Sequence, residues 1–237
     1  KRTLNNSTKK NLNAEKIEKI ISDEICCKLY YAQRKALKSN KTYYSKALFN
    51  PKFVSDIISL NFDTIAEELC CEVANIKKST KKTSKLKSKN SSEIFVNYHL
   101  VKFPKGESIR FWYPHGSIHK ASKNILGIRE YSKNLPLLEI FRSHSKQKDK
   151  NNDIQTTWYH ELSKKPLLII GSDMKSDEWD IWFAIVNRER NFAQKKNIRC
   201  KQPMFQMRDC ECKKDYRHKW FEPLYVGMNF TEQWQDL

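Results

Sequence analysis

Three short stretches put polar side chains directly after apolar runs. Asn61 and Asp63 follow Asp56-Ile57-Ile58-Ser59-Leu60, and His115 and Gly116 follow Ile109-Arg110-Phe111-Trp112-Tyr113-Pro114. Gly171, Ser172 and Asp173 follow Pro166-Leu167-Leu168-Ile169-Ile170. Runs of this length, bounded by turn residues, predict buried strands. In open α/β sheets, ligands bind at the carboxyl ends of the strands. Histidine is a base that titrates near neutrality, and glycine lets backbone approach a ligand closely. If the three strands are parallel neighbours, all three polar tips fall on one edge. Plainer readings stand beside this one. Asn and Asp are favoured helix caps, and a histidine before glycine fits an ordinary turn.

The elements that must position these residues alternate along the chain. Residues 13–38 predict an amphipathic helix, with Ile17, Ile20, Ile21, Ile25, Leu29 and Tyr30 at three- and four-residue steps and Asn13 as its cap. Pro51 interrupts any helix that follows Tyr43, Tyr44, Leu48 and Phe49. Thr64 and Glu67 have capping-box spacing and predict a helix running to about Ile76. Ile94-Phe95-Val96 predicts a further strand. Residues 117–166 mix short helical patterns with an exposed polar loop from Lys146 to Asp153. Asp177 and Glu178 suit the first turn of a last helix, whose core stripe is Trp179, Trp182, Phe183 and Val186. The expected fold is α/β, with a largely parallel sheet and flanking helices in a Rossmann-like arrangement. It forms one domain over residues 1–237, with a basic mobile loop at about 77–91 and a helical or loop insertion at about 117–165.

Composition narrows the function classes. The chain has 237 residues, and its 39% of hydrophobic residues is ample for a core. No apolar run reaches the roughly 18 residues of a membrane span, and no charged-then-apolar leader is present. A cytoplasmic protein with reduced thiols is expected, since Cys26-Cys27 and Cys70-Cys71 are adjacent pairs that rarely bridge. Cys200, Cys210, Cys212 and His218 lack the usual two-residue knuckle spacing, so no metal site is assigned. Only five glycines occur and no Gly-x-Gly, which removes a glycine-rich phosphate loop from this chain. The formal charge of +18 admits nucleic acid as a partner, through Lys77, Lys78, Lys81, Lys82, Lys85, Lys87 and Lys89. No aromatic residue interleaves that run to stack on bases, so a solvated loop is the preferred reading.

In order, "DIISLNFDTIAEEL", "YPHGSIHKASKNILGIREYSK" and "LLIIGSDMKSDEWDIW" resemble three motifs of the sirtuin-like NAD-binding family. The resemblance covers roughly residues 53–190, and it is to the bacterial antiphage NAD hydrolase branch. It implies that Asn61 orients the nicotinamide ribose or the attacking water, that Asp63 holds the carboxamide, and that His115 is the general base. Gly116, Gly171 and Ser172 would join Asn61 and Asp63 in binding NAD, which is the substrate. The implied reaction releases nicotinamide and ADP-ribose through an oxocarbenium-like state, as in glycosidic cleavage. Nicotinamide leaves neutral and needs no strong acid. The resemblance further implies antiphage defence by NAD depletion, in a homo-oligomer or with a phage-sensing partner protein.

Two departures qualify the resemblance. Residues 1–52 supply no glycine-rich turn for the pyrophosphate, so an upstream segment is expected to carry it and this chain alone to bind NAD poorly. Asp173 stands where the family often has a small hydroxyl residue. Residues 117–170 contain no cysteine, which argues against the zinc-bearing deacylase branch. The alternative from another class is a catalytically silent member, serving as an interaction or basic nucleic-acid-binding module. His119, His144 and His160 have no comparable company and are expected at the surface.

Overall fold

The computed structural model describes residues 46–83, 97–118, 157–170, 178–193, 204–209 and 226–231. It also describes Ile20, Asp23, Glu24, Cys27, Lys28, Tyr30, Tyr31, Ala32, Gln33, Lys35 and Ser132. The predicted strand at 94–96 lies outside these residues. By contacts the chain divides into two compact units: Lys1–Thr42, Phe49–Lys82 and Tyr98–Ile128 in the first, and Tyr43–Leu48, Thr83–Asn97 and Arg129–Leu237 in the second.

The elements in chain order are a 3-10 turn (Lys46–Phe49), β1 (Asp56–Ile58), α1 (Ile65–Val73), β2 (Thr80–Thr83), β3 (Asn97–Lys102) and β4 (Ser108–Trp112). Then come α2 (Trp158–Lys164), β5 (Leu167–Ile170), α3 (Trp179–Ala193), β6 (Met204–Asp209) and β7 (Val226–Thr231). Described positions between Ile20 and Lys35 are helical, as the amphipathic pattern predicts. The chain is thus α/β, but the first sheet is mixed. Its order is β1-β4-β3-β2, with β1 parallel to β4 and β3 antiparallel to β4. The antiparallel pair arises because Phe103-Pro104-Lys105-Gly106 closes a hairpin, with Gly106 at φ +89° and its N–H on the Phe103 carbonyl at 3.0 Å. β2 occupies the start of the lysine-rich segment that the sequence assigns to a loop. It stands at one end of the sheet order with Lys81 and Lys82 exposed, a pattern that discourages further strand addition.

β1 is only three residues long, so side chains must hold it in place. Asp56 lies opposite Arg110 in the parallel register. Arg110 grips its carboxylate with two nitrogens, Nε at 2.7 Å and Nη2 at 2.9 Å. Trp112 Nε1 donates to the same carboxylate at 2.8 Å. This fork of charge-assisted bonds fixes both the partner and the register of β1. The core beside it combines Val101, Ile109, Phe111 and Trp112 from the sheet with Leu69, Cys70, Cys71 and Ala74 from α1 and its C-terminus.

The second sheet is parallel throughout, in the order β5-β6-β7. β5, α3 and β6 form a strand–helix–strand unit, although β6 and β7 have no counterpart among the predicted strands. α3 buries the predicted stripe only in part, with Trp182 and Phe183 half-buried and Val186 exposed. Trp179 is 63% exposed, whereas Ile181, Ala184, Ile185 and Arg188 form the buried side. The helix is apolar on two sides, and the side carrying Arg188 turns inward. There the Arg188 guanidinium Nη1 donates to the Leu162 and Lys165 carbonyls at 2.9 and 2.6 Å. Those carbonyls end α2, where a cation is favoured.

Candidate functional site

The tips of β1 and β4, two of the three expected tips, meet. Ile58 lies opposite Trp112, and Ser59 N–H extends the ladder to the Trp112 carbonyl at 2.9 Å. Being parallel, both strands release their chains at the same edge. Ile118 N–H then donates to the Phe62 carbonyl at 2.8 Å, which closes the two loops on each other. The segment Asn61-Phe62-Asp63 and the segment His115-Gly116 are therefore brought together.

His115 sits on a turn in which Gly116 N–H donates to the Tyr113 carbonyl at 3.0 Å. Pro114 at the second position and Gly116 at the fourth are the signature of a type I turn. Gly116 has φ +97°, a conformation that favours glycine. The hairpin turn Phe103-Pro104-Lys105-Gly106 repeats this chemistry, with the same bond at the same length. The comparison isolates what the turn does not need. Lys105 holds the equivalent position in solvent, whereas His115 is 5% exposed. Proline and glycine explain the turn; they do not explain a buried histidine.

Asn61 is exposed on the opposing loop. Asp63 is half-buried, and its Oδ1 accepts the Ile65 N–H at 3.1 Å. Asp63 thus serves the start of α1, and a carboxylate retains further acceptor capacity after one such bond. Thr64 next to it is held by a residue from far upstream. Gln33, 2% exposed, accepts the Thr64 N–H at 3.1 Å and donates from Nε2 to Thr64 Oγ1 at 2.9 Å. Its Nε2 also reaches Glu68 Oε1 at 2.6 Å.

The predicted capping box does not form, because Glu67 turns the other way. Glu67, Cys70, Cys71 and Ala74 are spaced three, four and seven apart and make up the buried stripe of α1 and its C-cap. That stripe carries the Glu67 carboxylate inward, away from the Thr64 backbone. There it meets His99 Nδ1 at 2.9 Å from both oxygens, the Tyr113 hydroxyl at 2.7 Å and the Ser79 hydroxyl. Burial alone would push Glu67 up. The hydrogen bond and charge of His99, with the bonds from Ser79 and Tyr113, outweigh it and hold the carboxyl below its ordinary value. Burial, then the charge and hydrogen bond of Glu67 and the charge of Asp63, push Tyr113 well above its ordinary value. Tyr113 therefore stays a neutral donor. Sequence reasoning missed Glu67, His99, Ser79 and Tyr113. The helical stripe through Cys70 and Cys71 was the signal that Glu67 is buried.

Cys27, Cys70 and Cys71 are free thiols. Burial, with the neighbouring Cys71 and Glu67, pushes Cys70 up to about 12. Burial and Glu67 push Cys71 up to about 11. Neither is a thiolate nucleophile near neutral pH. His160 is half-buried in α2, where its backbone N–H donates to Thr157 Oγ1 at 3.2 Å. Gly171 and Ser172 lie outside the described residues, as do His119, His144, Cys200, Cys210, Cys212 and His218. The strand before Gly171, β5, belongs to the second sheet rather than to that of β1 and β4. Among the described residues, no group of three or more His, Cys, Asp or Glu side chains could hold a metal ion. No described helix is long and apolar enough to cross a membrane. No protein-family model matches the chain, and neither does any curated protein or any solved structure.

Proposed function

We propose that the chain is a sirtuin-like, Rossmann-like NAD hydrolase whose reacting end lies where the β1 and β4 tips adjoin. The observation that carries the reading is the closure of the Asn61–Asp63 loop onto the His115 turn, through the Ile118–Phe62 bond at 2.8 Å. It places an amide, a carboxylate and a buried histidine at one sheet edge, and the turn itself requires no histidine. In the proposed reaction the nicotinamide–ribose bond breaks with its electron pair moving to the pyridinium nitrogen, which neutralises the leaving group. Water, oriented by Asn61, adds to the ribose carbon. His115 takes the proton that water gives up and passes it to solvent. Asp63 holds the carboxamide, with its other acceptor capacity serving α1. Gly116 is the proposed backbone contact to the rest of NAD. By the same resemblance, the activity serves antiphage defence, in a homo-oligomer or under a phage-sensing partner.

A catalytically silent binding module is the second reading, favoured by the engagement of Asp63 with Ile65 N–H. Nicotinamide release from NAD separates the two. In an active hydrolase, His115→Ala lowers kcat by about 10²- to 10⁴-fold, the range of a lost general base. Absence of release from the native full-length protein, with and without phage lysate, would exclude the hydrolase and leave the binding module.

A further inference from the structure

We infer that Glu67 is a positioning residue that fixes the His115 turn against the Asn61–Asp63 loop, acting through the hydroxyl of Tyr113. The inference deepens the proposed hydrolase site and rests on that reading only for its effect on turnover. Three observations carry it. Glu67 lies one helical turn after Asp63, on the helix whose first residue Asp63 caps. Tyr113 begins the turn that bears His115, with its carbonyl accepting the Gly116 N–H. The bond from Tyr113 Oη to Glu67 Oε2, at 2.7 Å and buried, therefore ties the two loops together from beneath.

The other partners of Glu67 make that tie rigid. His99 on β3 and Ser79 ahead of β2 occupy the remaining acceptor sites, so the carboxylate cannot rotate without losing several bonds at once. The His99 and Tyr113 rings also meet edge to face at 5.7 Å between centroids. A buried carboxylate is a poor way to add stability, because an apolar side chain of similar volume often does as well. Fixing a geometry is the better-founded role. The bond gives direction as well as distance, which apolar packing does not.

Tyr113→Phe removes one hydroxyl and keeps the ring, and Glu67→Gln keeps the volume and removes the charge. Leu69→Ala is the control, since it weakens the core side of α1 without touching the carboxylate. Two measurements are made on the full-length protein: the His115 imidazole NMR signal, assigned by its loss in His115→Ala, and nicotinamide release from NAD. The His115 signal shifts in both variants and stays in place in Leu69→Ala. An unmoved signal in Tyr113→Phe and Glu67→Gln overturns the inference, whatever the turnover. In a chain that releases nicotinamide, kcat falls about tenfold in Tyr113→Phe, and the double variant is no worse than Glu67→Gln alone. The KM for NAD changes less than about twofold, as for an interaction realised beyond simple binding. An equal loss of kcat in Leu69→Ala would reduce Glu67 to a stabilising role and also overturn the inference. Absence of release from the native protein fails the hydrolase reading alone, and the His115 signal still decides whether Glu67 positions the turn.

Discussion

Glu67 stands where two local rules compete. As the fourth residue of Thr64-Ile65-Ala66-Glu67 it fits a capping box, and as the first of the stripe Glu67, Cys70, Cys71, Ala74 it fits the buried side of a helix. The stripe prevails because three donors wait for the carboxylate there, and Gln33 already takes the Thr64 N–H. The charge of Glu67 thereby becomes part of stability, with a definite sign. Its carboxyl is held below the ordinary value of 4.5, so the unfolded chain binds more protons in that range. The contribution is fully present above pH 4.5 and is lost as pH falls through the folded value. Urea unfolding of the wild type and of Glu67→Gln should differ by about 1–3 kcal/mol near neutral pH. The gap should narrow as pH drops below that point. A gap that stays constant down to about pH 3 would mean that the carboxylate charge is not its source. The turn that carries His115 was legible in the sequence because proline, histidine and glycine are contiguous. Glu67 was not, since its partners come from residues 12 to 46 positions away.

Elements whose chemistry is local were equally legible. Tyr113-Pro114-His115-Gly116 forms the turn its residues specify, and α1 starts after Thr64 as expected. α1 also ends locally, with Asn75 at φ 54° in the place usually taken by glycine. Asn75 N–H returns to the Glu72 carbonyl at 3.0 Å and Ile76 N–H to the Cys71 carbonyl at 2.9 Å, the two bonds of a Schellman motif. A chain with so few glycines uses asparagine where a left-handed residue is required. The N-terminus of α1 differs, because part of its cap comes from Gln33, 31 residues before Thr64. Its amide orientation follows from the donors around it: only the carbonyl oxygen can accept from Thr64 N–H. Gln33→Ala removes three bonds from a buried position. It should cost about 1–2 kcal/mol, the range of a lost cap. Hydrogen exchange at Thr64 should quicken more than exchange in β4, since the loosened region is the Asp63–Thr64 loop. Equal acceleration at both places would indicate global destabilisation instead.

At the scale of the whole molecule, strand partnership was the hardest feature to anticipate. The edge placement of β2 and the strands β6 and β7 depend on contacts between distant segments, whereas the β3–β4 hairpin is local. Apolar periodicity marks a strand without naming its neighbour. Net charge, by contrast, is a sum over residues and is fully legible. At +18 the protein repels itself, and a net charge of this sign attracts anions, the proposed substrate NAD among them. Both effects act over the Debye length, which shrinks from about 30 Å at 0.01 M salt to about 10 Å at 0.1 M. Raising salt across this range should therefore raise the thermal midpoint, as self-repulsion is screened. For the proposed hydrolase the same change should lower kcat/KM for NAD and leave kcat unaltered, because steering acts on encounter and not on the bound complex. Stopped assays at several salt concentrations, with nicotinamide as the readout, separate the two quantities. If kcat/KM proved flat while the midpoint rose, the positive charge would lie too far from the β1–β4 tips to steer the substrate. The exposed lysines of the β2 segment would then act on the stability of the fold alone.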